Sequence, residues 1–287
     1  MAHPGGGPRA LRALLGAPGI IVAPGAYDAV SARLVERAGF SAVYIGSYAT
    51  AASRVGLPDA GLVSMREMVD QAAAVVGAVE RIPVIADGEN GFGSAVTVWR
   101  TVGEFERAGV AGIHLEDHEF GKHLPVTGRV LPKAEMVEKV KAAVEARRNP
   151  DFVIIARTDA GWLGGGGLDE AVDRCLAYGA AGADMVFPAG VRTPALAEVA
   201  ARVPHLLCAV DSPGSTVSRD EAAGVKLVLY YSLLLFAAHH AVQETLAAFR
   251  AHGDRGALAP RLTPEADFDE FIGFPRIQAL AARHGLQ

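Results

Sequence analysis

Two carboxylates, Asp87 and Glu89, stand directly after a short apolar run at residues 83–86. The run has the length and composition of a buried strand, and three glycines among residues 87–93 mark its end. Carboxylates at alternate positions suit Mg²⁺, a hard cation that prefers oxygen ligands and keeps water molecules that a substrate can displace. A turn is the alternative explanation, since Asp, Asn and Gly all tolerate the backbone angles of turns. Taken alone, this stretch leaves the metal site and the turn equally open.

The elements that must position these carboxylates are short apolar runs that alternate with longer amphipathic segments. Eight such runs occur, at residues 19–24, 42–47, 83–87, 112–116, 152–157, 184–188, 205–210 and 226–232. Strands this apolar are covered on both faces, as in parallel sheets. Eight strand–helix units without a second zone of composition predict an α/β fold, a (β/α)₈ TIM barrel over residues 19–250. An open doubly wound sheet is the alternative, but no glycine-rich fingerprint follows the first strand.

Polar residues at the ends of the predicted strands converge on one mouth of the barrel, where active sites of such barrels lie. These residues are Ser47, Asp87, Glu89, Glu116, Asp117, Arg157, Asp159 and Asp211. So many acids around one basic group, Arg157, leave an excess of negative charge unless a cation is bound. Asp159 is expected either to orient Arg157 or to cap a loop. The convergence favours the metal site over the turn.

The composition excludes some classes of protein. The chain has 287 residues, a net charge of −5 and 51% apolar residues, which is a globular composition. It contains no basic cluster interleaved with aromatic residues, so binding of nucleic acid is not expected. The two cysteines, Cys175 and Cys208, fall in a predicted helix and a predicted strand, which indicates buried thiols and a reducing compartment. We therefore expect a cytoplasmic protein.

The terminal segments are expected to lie outside the barrel. Residues 1–18 are broken by Gly and Pro, which indicates a flexible segment rather than a signal peptide. The longest uncharged run, residues 227–243, contains Tyr, Ser and His, and it predicts a strand leading into a buried helix rather than a membrane span. Residues 251–287 are expected to form a helical tail that packs on the barrel or on a neighbouring subunit.

Five motifs, in the order of the family, resemble the isocitrate lyase/phosphoenolpyruvate mutase superfamily. They are Pro24-Gly25-Ala26-Tyr27-Asp28-Ala29, Gly56-Leu57-Pro58-Asp59, Asp87-Gly88-Glu89-Asn90-Gly91-Phe92-Gly93, Gly112-Ile113-His114-Leu115-Glu116-Asp117 and Ile155-Ala156-Arg157-Thr158-Asp159-Ala160. The resemblance implies a (β/α)₈ barrel with a C-terminal helix swapped between subunits of a dimer or homotetramer. It also implies Mg²⁺, with Mn²⁺ as an alternative, and a small 2-oxo or 2-hydroxy acid as substrate, with no nucleic acid or membrane as partner.

The resemblance further implies roles for individual residues. Asp87 matches the carboxylate that contacts the metal, and Glu89 and Glu116 match the groups that hold its water molecules, although the family more often has Asp at the position of Glu89. Arg157 matches the arginine that faces the substrate carboxylate or the enolate oxygen. The remaining implied residues are Tyr44, Gly46 and Ser47 in substrate binding and, among the catalytic residues, Asp59, an acidic residue close to the water shell of the metal.

The chain departs from the family after the fourth strand. Lyases that cleave methylisocitrate-like substrates carry Lys-Lys/Arg-Cys-Gly-His there, whereas residues 119–129 of this chain are shorter and lack cysteine. Lys122 and His123 lie in this candidate lid, and either could serve as the catalytic acid or base. Ala189, Ala209 and Ser212 replace other polar residues of the motifs, so a tricarboxylate lyase is not expected. The Asn-Ser pair typical of phosphonopyruvate-forming mutases is absent too.

These inferences lead to one main hypothesis and two alternatives. The main hypothesis is a Mg²⁺-dependent lyase that cleaves a C–C or P–C bond of a small 2-oxo or 2-hydroxy acid through a pyruvate enolate held at the metal. Oxaloacetate decarboxylation is a concrete example, because it needs the metal and Arg157 but no protein acid for a large leaving group. The alternatives are a phosphonate-pathway mutase or hydrolase, similar to carboxyvinyl-carboxyphosphonate phosphorylmutase, and a catalytically weak barrel that binds a 2-oxo acid.

Overall fold

The computed structural model describes residues 6–119, 122–124, 129–163 and 166–285. Within these residues the strands are β1 (Ile21–Pro24), β2 (Val43–Ile45), β3 (Val84–Asp87), β4 (Gly112–Glu116), β5 (Val153–Thr158), β6 (Met185–Pro188), β7 (Leu206–Val210) and β8 (Val225–Tyr230). They form one eight-stranded parallel sheet in the order β1-β8-β7-β6-β5-β4-β3-β2. The (β/α)₈ TIM barrel predicted from the sequence is confirmed.

The sheet closes on itself where β1 meets β2. Gly25 forms a parallel bridge with Tyr44, and the backbone N–H of Ala26 donates to the carbonyl oxygen of Tyr44 at 2.8 Å. Gly25 also passes close to the end of β8, since a Cβ atom at this position would lie 2.6 Å from the carbonyl oxygen of Tyr231. A residue without a Cβ atom is therefore required at this seam.

One helix precedes the first strand, and the others follow the strands along the chain. The helices are α1 (Gly7–Gly16), α2 (Ala29–Arg37), α3 (Ser47–Thr50), α4 (Met65–Ala78), α5 (Ala95–Ala108), α6 (Lys133–Ala146), α7 (Gly167–Ala180), α8 (Ala195–Arg202), α9 (Val217–Ala222), α10 (Leu233–His252), α11 (Glu265–Ile272) and α12 (Phe274–Arg283), with a π-helical turn at Ala51–Val55 after α3. Capping boxes begin α2, at Asp28 and Ser31, and α4, at Ser64 and Glu67.

The apolar core has two main layers. One lies between the sheet and the surrounding helices and includes Val84, Ile113 and Phe105. The other fills the barrel and includes Ile85, Ile155 and other side chains on the inward face of the strands. Because side chains alternate along a strand, Asp87, two residues after Ile85, also points inward. The polar residues at the strand ends thus lie directly above the apolar side chains that fill the barrel, which form its floor.

Part of the N-terminal segment belongs to this floor. Residues 7–16, which the sequence analysis assigned to a flexible segment, form α1, and its Leu11 and Leu15 are buried in the cluster that fills the barrel. Arg12 on the same helix pairs with Asp184 at 2.8 Å and donates to the carbonyl oxygen of Asp151. The glycines and prolines of the segment suggested flexibility, whereas the burial of two leucines one helical turn apart holds the helix in place.

The chain divides after Leu235 into two compact units, which is earlier than the expected boundary at residue 250. The second unit consists of most of α10, a 3₁₀ turn at Gly256–Arg261, α11 and α12. Within the single chain described, none of the residues of α10 is buried, so the chain itself does not provide the burial expected for the helix after β8. Among the described residues, no helix combines the length and the apolar character that crossing a membrane requires.

Candidate active site

Four buried carboxylates meet at the carboxyl ends of the strands. Asp87 ends β3 and Glu116 ends β4, while Glu89 lies in the loop after β3 and Asp59 lies between the π-helical turn and α4. Their exposed fractions lie between 1% and 8%. Parallel strands end at the same edge of the barrel, which explains how residues so far apart in sequence come together.

Asp87 accepts hydrogen bonds from four donors, of which the longest, at 3.4 Å, comes from the Tyr44 hydroxyl. Its Oδ2 accepts from the backbone N–H of Ser47 at 3.1 Å and from the Ser47 hydroxyl at 2.9 Å, and its Oδ1 accepts from the backbone N–H of Glu89 at 2.8 Å. Burial alone would raise the pKa of Asp87, but the nearby positive charges, including Lys122 and Arg157, together with the Glu89 amide hold it well below its usual range. Asp87 is therefore a fixed, ionised carboxylate. The two donors of Ser47 point at Asp87, so a substrate must compete for them.

Lys122 lies among the four carboxylates. Its Nζ is 3.2 Å from Glu89 Oε2, 3.2 Å from Glu116 Oε1, 3.6 Å from Asp59 Oδ2 and 3.7 Å from Asp87 Oδ2. Burial would lower the pKa of Lys122, but the four carboxylates raise it well above its usual value. The side chain is consequently an ammonium ion and cannot act as a base in this arrangement.

The acids outnumber the cations even with Lys122 in place. Among the described residues, two permanent cations, Lys122 and Arg157, lie among five carboxylates: Asp59, Asp87, Glu89, Glu116 and Asp159. Burial and the neighbouring carboxylates raise the pKa of Glu89 to about 8. Within the described residues, Glu89 Oε1 and Glu116 Oε2 are buried without a hydrogen-bond partner. Unpartnered carboxylate oxygens with excess negative charge are the donor set that a hard divalent cation requires.

His114 belongs to the same cluster and was missed by the sequence analysis. Asp87, His114 and Glu116 each offer a ligand atom, and these atoms lie within 4.8 Å of one another. Burial lowers the pKa of His114 to about 4, so the ring is neutral and its Nε2 lies 2.8 Å from the Tyr44 hydroxyl. The sequence could have indicated His114, because side chains alternate along a strand and a residue two positions before Glu116 therefore points the same way.

Arg157 is oriented by contacts on three sides. Its Nη1 lies 3.0 Å from Glu116 Oε2, its Nε donates to Asp159 Oδ1 at 2.8 Å, and its guanidinium carbon lies 5.3 Å from the centre of the Phe187 ring. Asp159 in turn accepts from Nδ1 of the buried His118 at 3.0 Å. Asp159 therefore orients Arg157, one of the two roles considered for it, and His118 supports Asp159.

Asp117 and Asp211 do not join the site, although both follow a strand end. Asp117 points away from Glu116, its neighbour in sequence, and accepts from the Tyr178 hydroxyl at 2.7 Å and from Arg174 Nη1 at 3.1 Å. Asp211 follows β7, and neither acid is among the residues that line the cavity described below. Alternation along the strand accounts for Asp117, since adjacent side chains lie on opposite faces.

His123 closes one side of the site. Its Nε2 lies 3.4 Å from Asp59 Oδ2, and its ring stacks on that of Trp162 with a centroid distance of 5.5 Å. Its backbone has a φ of 64°, which is unusual for a residue other than glycine. Burial would raise the pKa of Asp59, but hydrogen bonding to His123 and the charge of Lys122 lower it overall. His123 and Asp59 thus form a histidine–carboxylate pair.

Eight of the ten predicted site residues line one cavity of about 600 Å³. Its lining includes Tyr44, Gly46, Ser47, Asp59, Asp87, Lys122, His123 and Arg157. Glu89 and Glu116 line a smaller cavity of about 20 Å³ that also includes Lys122. At Gly46 a Cβ atom would lie 2.9 Å from the Tyr44 ring, so glycine there makes room for the tyrosine rather than only for a ligand.

Comparison with known proteins agrees with this geometry. A family described as phosphoenolpyruvate phosphomutase matches residues 11–250. The chain is 38% identical to 2,3-dimethylmalate lyase of Eubacterium barkeri over 284 residues, covering 93% of this chain and 94% of that enzyme. Oxaloacetate acetylhydrolase in complex with the inhibitor 3,3-difluorooxalacetate has a TM-score of 0.90 at 32% identity, covering 99% of both chains.

A second solved structure carries the metal. Phosphonopyruvate hydrolase in complex with oxalate and Mg²⁺ has a TM-score of 0.89 at 32% identity, covering 96% of this chain and 98% of that one. The match by sequence and the two matches by structure extend over nearly the whole chain. This chain therefore belongs to the phosphoenolpyruvate phosphomutase family, within the isocitrate lyase/phosphoenolpyruvate mutase superfamily of Mg²⁺-dependent lyases and mutases.

Proposed function

We propose that the protein is a Mg²⁺-dependent lyase that cleaves a C–C bond of a small 2-hydroxy or 2-oxo acid. The observation that carries the proposal is the excess of buried carboxylates directly beside Arg157, in which Glu89 Oε1 has no hydrogen-bond partner among the described residues and Glu116 Oε2 has only its ion pair with Arg157. A cation for the carboxylates and an arginine for an acid substrate are the two requirements of this chemistry. The similarity to 2,3-dimethylmalate lyase supports this proposal.

Asp87, Glu89 and Glu116 would hold the metal, directly or through water. The chemistry supplied by a bound Mg²⁺ is stabilisation of negative charge on the substrate oxygens, and Mn²⁺ could supply the same. Lys122 now neutralises part of the charge of this cluster, with its Nζ 3.2 Å from both Glu89 Oε2 and Glu116 Oε1. Lys122 would share the carboxylates with the metal or give them up to it.

Arg157 would bind the substrate carboxylate or the oxygen on which charge develops. Its guanidinium stays charged and presents a planar fork that matches a carboxylate. The contact of its Nε with Asp159 at 2.8 Å fixes the fork before substrate arrives, so no reorganisation is needed during reaction. Tyr44, Gly46 and Ser47, which line the cavity with Arg157, would contact the same end of the substrate.

Proton transfer would involve His123, Asp59 and Lys122. For a 2-hydroxy acid, His123 takes the hydroxyl proton, the oxygen electron pair forms the carbonyl group, and the C2–C3 bond breaks with its electron pair left on C3. A proton from Lys122 then completes the second product. For oxaloacetate, the C3–C4 bond breaks to release CO₂, and the electron pair forms an enolate that is protonated at C3. Asp59, 3.4 Å from His123, would orient the imidazole.

A phosphonate-pathway mutase or hydrolase is the second candidate. It is favoured by the description of the matched family and by the similarity to phosphonopyruvate hydrolase. The same cation and the same arginine would serve it, since the substrate again carries a carboxylate beside a carbonyl group. The two candidates differ in the group that leaves, carbon or phosphorus.

The test is release of pyruvate from oxaloacetate and phosphonopyruvate, and of the corresponding 2-oxo acid from 2-alkylmalates, with Mg²⁺ and with chelator. Release that disappears with chelator and in Asp87→Ala supports the lyase or the hydrolase, and the substrate that reacts identifies the leaving group. Binding of oxalate with Mg²⁺ but no release from any substrate would instead support a catalytically weak 2-oxo acid-binding barrel. Absence of oxalate binding would reject the metal site itself.

We also propose a homo-oligomer in which the C-terminal helices pack on a neighbouring subunit. Supporting this, α10 has no buried residue and exposes large apolar side chains, among them Phe236, Val242 and Leu246. A cytoplasmic location is supported by two buried cysteines that form no disulfide. Light scattering after gel filtration would decide between monomer, dimer and tetramer.

A further inference from the structure

Arg192, in the loop between β6 and α8, lines the same cavity as Arg157 but takes no part in the network of acids. Its side chain is exposed, and it makes no hydrogen bond or ion pair with any residue that the structure describes. Lys122 and Arg157, by contrast, each lie within 3.2 Å of a carboxylate oxygen. Arg192 is therefore a cation of the cavity with its charge still available.

The carboxylate that contacts the loop between β6 and α8 already accepts hydrogen bonds from other groups. Asp220, on α9, is buried and accepts from the hydroxyl of Thr193 at 2.7 Å through Oδ1 and from the hydroxyl of Ser215 through Oδ2. Thr193 is the residue next to Arg192, yet the guanidinium makes no contact with this carboxylate. The loop thus uses a hydroxyl, not the arginine, to attach itself to α9.

The loop between β6 and α8 packs against the loop that follows β5. At Gly190, with a φ of 79°, a Cβ atom would lie 2.5 Å from Cδ1 of Trp162, so the indole packs directly on the backbone of the β6 loop. Trp162 also stacks on His123. The chain direction at Arg192 is therefore set by a packed contact rather than by an unconstrained surface turn.

The cavity wall near these residues is largely apolar. Trp162, Val210, Leu229 and Tyr231 line it, and the ring of Tyr231 meets that of Tyr48 edge to face at a centroid distance of 5.5 Å. The volume of about 600 Å³ is far larger than a three-carbon oxo acid needs. The cavity has room for an apolar portion of a substrate beside the head group that is proposed to bind at Arg157.

We propose that Arg192 binds a second carboxylate of the substrate, at the far end of a branched apolar body that contacts Trp162, Leu229 and Tyr231. The inference rests on the lyase proposed above and adds one residue to it: Arg192, as the group that selects a substrate with a second carboxylate. In the cleavage of a 2-hydroxy diacid, the second carboxylate lies next to C3 and delocalises the electron pair left there. Arg192 would stabilise the charge that this fragment carries.

The experiment uses inert probes, so that turnover does not obscure binding. Oxalate presents the head group alone. N-oxalylglycine adds a second carboxylate, N-oxalylvaline adds an apolar branch as well, and the methyl ester of N-oxalylvaline removes only the charge at the second carboxylate. Their affinities are measured by calorimetry with Mg²⁺ for the wild-type protein, Arg192→Gln, Arg192→Lys and Arg9→Gln. Arg9 is exposed on α1, so its variant removes the same charge away from the cavity.

The expected result is a thermodynamic cycle in which the loss of Arg192 and the loss of the second charge do not add. Wild-type protein and Arg9→Gln bind N-oxalylvaline at least about tenfold more tightly than its ester, as for a charge-assisted hydrogen bond. Arg192→Gln loses this preference, Arg192→Lys keeps part of it, and oxalate binds all four proteins within about twofold. N-oxalylvaline exceeds N-oxalylglycine by about fourfold or more, as expected for burial of at least one additional methylene equivalent.

Two results would overturn the inference and are distinguishable. If oxalate binds with Mg²⁺ but the wild-type protein does not prefer the diacid to the ester, the assignment of Arg192 is wrong while the proposed lyase stands. The same conclusion follows if Arg192→Gln weakens the ester as much as the diacid. If oxalate does not bind in the presence of Mg²⁺, the proposed function fails and the inference falls with it.

Discussion

Glu116 and Asp117 are neighbours at the end of β4, yet they belong to two different kinds of polar network. Glu116 faces the cavity in a cluster with more carboxylates than cations and with oxygens that have no hydrogen-bond partner among the described residues. Asp117 faces the helices, where Tyr178, Arg174 and the backbone N–H of Asp159 together satisfy both of its oxygens. A balanced network stabilises a fold, whereas an unbalanced one leaves room for a ligand to complete it.

The proposed role of the unbalanced network as a metal site would be tested most directly at Asp87. Asp87→Asn keeps the shape of the side chain but removes the charge and one acceptor at the proposed metal. We expect Mg²⁺-dependent release of pyruvate to fall by about 10²–10³-fold, as when a preorganised electrostatic contact is lost. Steady-state kinetics with saturating Mg²⁺ provide the measurement, and circular dichroism checks the fold. More than a tenth of wild-type activity in a folded variant would show that Asp87 is not essential.

The excess of carboxylates over cations in this cluster also predicts that Mg²⁺ binding depends on pH. Burial and neighbouring carboxylates raise the pKa of Glu89 from its ordinary 4.5 to about 8, so metal binding must displace a proton below that pH. We expect the affinity for Mg²⁺ to rise by up to about tenfold per pH unit and to level off above pH 8. Calorimetry in buffers of different ionisation enthalpy measures the proton release directly.

Glu89→Gln is the matched variant for this dependence, and it should bind Mg²⁺ more weakly but with little change across pH. The same raised pKa has an effect on stability with the opposite sign. Between pH 4.5 and 8 the folded, metal-free protein holds a proton that the unfolded chain has released, so the free energy of unfolding falls as pH rises. At pH 9 the metal-free Glu89→Gln variant should therefore be more stable than the wild-type protein. Equal pH profiles for both proteins would exclude Glu89 as the responsible group.

In the balanced network, Asp117→Asn should affect stability rather than metal binding. The amide cannot accept from Arg174, Tyr178 and the Asp159 N–H together, because one of its two atoms is itself a donor. We expect a loss of about 1–3 kcal/mol in the free energy of unfolding. Urea denaturation measures it, and the affinity for Mg²⁺ serves as the control. A stable variant with weakened Mg²⁺ binding would show that the two networks are not separate.

The smallest expected effect lies at His118, where the two networks meet. Its Nδ1 donates to Asp159, which orients Arg157, so His118 is a positioning residue. His118→Leu should lower kcat/KM by about tenfold, the usual cost of removing a supporting hydrogen bond, with most of the change in kcat. His118→Asn retains a donor near Nδ1 and should recover most of the activity. Equal losses in both variants would indicate a packing role instead.

Much of the architecture was predictable because its signals are local. Each barrel strand is a short apolar run, and the polar residue that ends it marks the catalytic edge, as at Asp87 and Glu116. The period of two would also have separated Glu116 from Asp117 and included His114, had it been applied at the strand ends. Helix α1 was missed because Gly and Pro near its start outweighed the spacing of Leu11 and Leu15.

The rest of the site depends on loops, where no sequence period exists. The position of Lys122 among four carboxylates and the stacking of His123 on Trp162 both require the three-dimensional course of segments far apart in the chain. It is harder still to predict that Arg192 has no ion-pair partner among the described residues, since this depends on which neighbouring donor binds each carboxylate. The exposure of α10 was not predicted, because the sequence of an apolar helix does not show whether the residues that pack against it belong to its own chain or to another.

The position of Lys122 makes loading of the site an ion exchange rather than a simple addition. A tethered ammonium already neutralises the carboxylates, so the measured affinity for Mg²⁺ is the difference between two competing counter-ions. The tether gives the ammonium a high local concentration that does not fall on dilution. The metal-free protein can therefore keep its cluster of acids intact, and the divalent ion prevails only where its concentration overcomes that of the built-in competitor.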